Sequence, residues 1–170
     1  MLVPVKNVLF NIRDLEYYQG NWKHNIYYNK DFDTVVSCTL KNNIKFDINT
    51  ASVDDIHIIK ELLTQLRSAT DEEIKEILLD KHESELYFPK NYDPRDISFA
   101  QEEWTYYPYY RAYSMSNVSL RTHSGSRFKI PTKNPKSSRK VMQNIALINS
   151  FDESEYTERI QTLELKNKNL

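Results

Sequence analysis

The order of apolar and polar positions divides the chain into four parts: strand-forming, helical, proline-punctuated, and helical again. Residues 3–12, 25–28, 34–40 and 44–48 are runs of β-branched and aromatic residues, the composition of strands. Gly20-Asn21, residues 29–31 and residues 41–43 separate them and read as turns. Short neighbouring runs joined by polar turns predict an antiparallel meander. Pro4 has no N–H to give a ladder, so it sets the first strand at an edge or makes its start irregular.

From residue 53 the period changes. Ile56, Ile59, Leu62, Leu63 and Leu66 fall on one face at a 3.6-residue repeat, preceded by Ser52 and Asp55 at capping-box spacing. Thr70 and Glu73 repeat that spacing before Ile74, Ile77 and Leu78, with Asp71, Glu72 and Glu73 at the end of the helix dipole that favours acids. Between residues 86 and 136, Pro89, Pro94, Pro108, Pro131 and Pro135 interrupt every helical period. This region reads as irregular, apart from a hairpin pairing 118–122 with 127–130 about Ser124-Gly125-Ser126. Val141, Ile145 and Ile148 mark a further helix; Tyr156, Ile160 and Leu163, after the pair Ser150 and Glu153, mark a last one. The predicted fold is α+β: a small antiparallel N-terminal sheet packed with a capped helical pair, a proline- and tyrosine-rich irregular region at 86–136, and two C-terminal helices. Residues 1–150 are read as a single domain and 151–170 as a helix with a frayed tail.

Composition narrows the class. A chain of 170 residues, 39% hydrophobic and 28% charged, belongs with globular proteins and buries enough surface to need no disulfide or metal. The single cysteine, Cys38, sits in an apolar run and reads as a small buried hydrophobe in a reducing, cytoplasmic setting. No apolar window is long enough to span a membrane, and the first residues lack the pattern of a signal peptide, so the sequon Asn117-Val118-Ser119 carries no glycan. Two glycines, Gly20 and Gly125, are too few to write a phosphate-cradling loop. Phe, Tyr, Met, Ile, Asn and Lys total 66 residues against 21 of Gly, Ala, Arg and Pro, a bias towards AT-rich codons that fits a phage or other mobile element.

Charge adds a pattern that net charge hides. Residues 53–103 carry a net charge of −8 and residues 104–150 carry +8, the latter with eight cations and no acid. Those cations are Arg111, Arg121, Arg127, Lys129, Lys133, Lys136, Arg139 and Lys140. Interleaved Ser, Thr and Asn suit phosphate oxygens, so a nucleic acid or other polyanion is one expected partner. Lys136, Arg139 and Lys140 also open a predicted helix, where cations oppose the dipole unless an anion is present. The other reading is docking on the acidic block of the same chain or on another subunit. Beside this block, Trp104, Tyr106, Tyr107, Tyr109, Tyr110 and Tyr113 form an aromatic cluster. It suits core packing, a protein interface or base stacking.

Catalytic signatures are lacking. His24, His57, His82 and His123 are widely spaced and form no paired ligand motif. Asp54, Asp55 and His57 point to different sides of one helix. Asp93, Asp96, Glu102 and Glu103 recommend a metal-dependent nuclease only weakly, since no lysine follows the acids closely. His123 beside Ser124 is not a triad. The helical pair after residue 53 fails as a helix-turn-helix because its second helix is acidic. The expected function is therefore non-enzymatic binding, without cofactor, metal or membrane. The partner is a protein complex or nucleic acid reached through residues 104–150; a homo-oligomer, or a connector, adaptor or inhibitor subunit of a viral or other assembly, is the alternative.

Overall fold

A computed structural model describes residues 1–24, 32–78 and 86–168. Among these residues the chain forms eight strands and four α-helices: β1 (Leu2–Val5), β2 (Val8–Asn11), β3 (Leu15–His24), β4 (Phe32–Leu40), β5 (Lys45–Asn49), α1 (Val53–Ser68), α2 (Asp71–Leu78), β6 (Ile97–Tyr107), β7 (Ala112–Thr122), β8 (Arg127–Pro131), α3 (Pro135–Asn149) and α4 (Glu153–Lys168). The fold is α+β, with two antiparallel sheets. One has five strands in the order β1-β2-β6-β7-β8; the other has three, β3-β4-β5.

The apolar run 3–12 is two strands, not one. Lys6, at φ 49°, turns the chain back so that Val5 pairs with Val8 and Leu2 with Asn11. Pro4 lies in β1, which is an edge strand. The Gly20-Asn21 turn is corrected: both residues lie inside β3, where they pair with Val36 and Val35. Gly20 is required by packing, because a Cβ there would stand 2.6 Å from Cγ2 of Ile56 on α1. The strand expected at residues 25–28 lies outside the described residues.

The region read as irregular is corrected too: it contains three strands. Apart from Pro89, its prolines sit where strands and helices begin or end. Pro94 opens a short 3₁₀ turn, Pro131 closes β8, and Pro135 occupies the first turn of α3, where a missing N–H costs nothing. The hairpin about Gly125 forms as expected, with Val118 opposite Ile130 and Arg121 opposite Arg127.

The five-stranded sheet is buried on both faces near β1, β2 and β6. One face, carrying Leu9, Ala100, Val118 and Leu120, packs on Met142, Ile145 and Ala146 of α3. The other, carrying Val3, Val8, Phe10 and Phe99, packs on Ile59 and Leu63 of α1 and on Val36, Phe46 and Ile48 of the smaller sheet. Both predicted caps on the helical pair form. Asp55 N–H donates to Ser52 Oγ, and Thr70 and Glu73 exchange bonds of 3.0 and 3.3 Å. The start of α4 is capped by Asp152, whose Oδ1 accepts from Glu155 N at 2.7 Å, and not by Ser150, which ends α3. Among the described residues no helix is long and apolar enough to cross a membrane.

Candidate protein-interface arm and basic segment

The aromatic cluster is a projecting hairpin. β2 leaves β6 after Gln101, and β8 leaves β7 at Asn117. Beyond those points, among the described residues, Trp104 to Tyr107 pair only with Met115 to Ala112, so the end of the hairpin is a two-stranded ribbon. A four-residue loop closes it. Tyr110 N donates to Tyr107 O and Arg111 N to Pro108 O, both at 3.2 Å, with Pro108 at the second turn position that its fixed φ suits. Arg111 holds φ 47°, a conformation that glycine takes without strain and arginine does not, and such local strain gathers at functional loops.

This arm presents its aromatics to solvent. Tyr109 is 90% exposed and Tyr110 75%, and their rings meet edge to face at 5.1 Å. Trp104 and Tyr107 are exposed as well. Tyr106 and Tyr113 are register partners in the ribbon; their side chains lie outside the description. Core packing is thereby excluded for Trp104, Tyr107, Tyr109 and Tyr110.

The eight cations do not form one patch. Arg111 sits at the tip of the arm. On β7 and β8, Val118, Leu120, Phe128 and Ile130 face α3. By strand alternation Arg121, Arg127 and Lys129 therefore face the opposite side. Lys133, Lys136, Arg139 and Lys140 precede or open α3, on the α3 side of the sheet.

Two neighbouring acids of β6 divide in the same way. Glu103 pairs with Lys129 at 2.8 Å on one face. Glu102 points to the other, where its side chain is only 3% exposed, its Oε1 accepts from Ser138 Oγ at 2.6 Å, and Arg139 Nε lies 3.8 Å away. The anion that offsets cations at the start of α3 is thus present in the chain itself. Arg121, Arg127, Lys133 and Lys136 make no ion pair among the described residues.

The acids raised for a nuclease do not converge. Asp93 caps the 3₁₀ turn and pairs with Arg95, while Glu102 and Glu103 lie on opposite faces of β6. Among the described residues no group of three His, Cys, Asp or Glu is placed to hold a metal ion. Asp55 is engaged by Lys6 Nζ and by Ala51 N, which together hold its carboxyl below the usual aspartate range. Ser124 Oγ pairs with Thr122 Oγ1 at 2.8 Å. Burial pushes the Cys38 thiol up to about 12, with Asp47 adding to the effect, so it is a packing group with no thiolate at neutral pH.

No family model matches the chain, and no curated protein or solved structure is significantly similar to it.

Proposed function

We propose that the chain is a non-enzymatic binding protein of a macromolecular assembly, and that the β6–β7 arm docks into a protein partner. The observation that carries this is the exposure of Tyr109 and Tyr110 on a ribbon reaching past its sheet. Tyr, Trp and Arg are the residues that dominate binding energy at protein interfaces, because they are large, rigid and polar at one end. An exposed apolar group of this kind, placed on a projection, has no use in the chain's own core. The test is Tyr109→Ser with Tyr110→Ser. The double variant keeps the parent's melting temperature and loses the proteins that co-purify with the tagged parent from its native source. Identical companions on parent and variant overturn the reading.

A polyanion is the second reading, favoured by Arg121 and Arg127 standing opposite each other without an acid paired to either among the described residues. On duplex DNA, affinity then falls with salt by about 0.9 log units per log unit for each phosphate neutralised. Fluorescence anisotropy of labelled duplex and single-stranded DNA over a salt series decides it: no binding at low salt removes this reading.

A further inference from the structure

Two sheets present four edges, and three of them are blunted. β1 carries Pro4 and lies against α3. β8 carries Arg127, Lys129 and Pro131. β5 is covered by the side chain of Asn7, whose Nδ2 donates to Asp47 O at 3.0 Å and whose Oδ1 accepts from Asn49 N at 2.9 Å, as a neighbouring strand would. Charges, proline and a capping group are the devices by which proteins keep sheet edges from pairing. β3 is different. It spans ten residues, among the described residues only β4 pairs with it, it carries no proline, and its charged positions, Glu16 and Lys23, lie near its two ends and not along its middle. Tyr17 and Trp22 along it are 55% and 62% exposed.

We infer that β3 is a self-pairing edge: two copies of this chain join β3 to β3 in antiparallel fashion about a two-fold axis at Gly20, forming one continuous six-stranded sheet. The order of residues along β3 supports this occupant. Reading outwards from Gly20, the strand is amide then aromatic in both directions: Gln19 and Tyr18 on one side, Asn21 and Trp22 on the other. A two-fold axis at Gly20 sets Gln19 opposite Asn21 of the second copy and Tyr18 opposite its Trp22. Each pair lies on one face, because opposed residues then differ by an even number of positions. Charge agrees with the pattern. The strand begins at an acidic end, Glu16 with Asp14 just before the strand, and finishes at the basic positions Lys23 and His24, so antiparallel pairing brings unlike ends together. A parallel register sets like ends together and loses both matches.

Sedimentation velocity of the whole protein over a concentration series tests the inference. The parent forms a reversible dimer. Gln19→Lys with Asn21→Lys sets like charges opposite each other twice across the axis and weakens the dimer roughly tenfold or more. Gln19→Lys with Asn21→Glu sets unlike charges in the same places and restores it. A parent that stays monomeric at every concentration overturns the inference, and so does a dimer indifferent to both variants. Amide hydrogen exchange on the parent serves if a variant fails to fold. Residues 17–22 slow as the dimer forms while residues 127–131 on β8 do not; unchanged exchange at 17–22 in the dimer refutes it.

Discussion

Glu102 Oε1 accepts a 2.6 Å hydrogen bond from Ser138 Oγ, a link between the middle of β6 and the first turns of α3. It buries a carboxylate at a helix start, where the dipole favours negative charge, with Arg139 close by. Glu102→Gln removes the charge from both interactions and is expected to cost about 1–3 kcal/mol of stability. Arg139→Gln weakens the same site, whereas Lys133→Gln with Lys136→Gln leaves the urea midpoint at the parent value. Equal midpoints for all of these variants contradict an internal role for the acid.

Gly20 and Ile56 form a second pairing open to test. Gly20→Ala drives a methyl against Ile56 Cγ2 and is expected to cost about 1–3 kcal/mol by overpacking. Ile56→Ala in the same chain relieves the clash, so the double variant is more stable than the sum of the two losses. A double-mutant cycle in denaturant measures the coupling; strict additivity contradicts the packing account.

The buried face of α1 is expected to carry much of the stability of its layer. Ile59 and Leu63 are enclosed by the smaller sheet and by β1 and β2. Truncation of either to alanine should cost about 2–5 kcal/mol. Ile58, exposed on the same helix, serves as the control, and Ile58→Ala is expected to shift the midpoint little.

Asp55 predicts an acid dependence of known sign. Hydrogen bonds from Lys6 and the Ala51 amide lower its carboxyl in the folded state from the ordinary value of 3.8. The stabilisation is therefore complete above that ordinary value and is lost as pH falls through the folded-state one. Asp55→Asn lowers stability at neutral pH, and its gap from the parent closes under strongly acidic conditions. Urea midpoints compared from neutral to strongly acidic pH check this, and a gap that widens in acid refutes it.

The sequence made the helices legible because their signals are local: α1 and α2 begin at side chains that cap them, and their apolar positions recur at one period. β3 was hidden because a glycine followed by asparagine resembles a turn. Here the glycine answers to Ile56, 36 positions away in sequence, a contact that no local window contains. β6 was hidden because acids and prolines surround it. The basic segment was visible as composition, but strand alternation sends successive cations of the β7–β8 hairpin to the face away from α3, while Lys133 precedes that helix and Lys136, Arg139 and Lys140 belong to it. That division depends on register, which composition does not encode. Exposure of the arm was equally illegible, since it follows from where β2 and β8 stop pairing.

Alternate residues of β1 and β2 belong to different hydrophobic clusters: Leu2 and Leu9 face α3, while Val3, Val8 and Phe10 face α1 and the smaller sheet. The two clusters thus share a wall. Lifting α3 away exposes one side of strands whose other side is still packed, and loosening α1 does the converse, so neither half holds its shape once the other has gone. Heat or denaturant should take both layers in a single cooperative step, with near-ultraviolet and far-ultraviolet signals changing together.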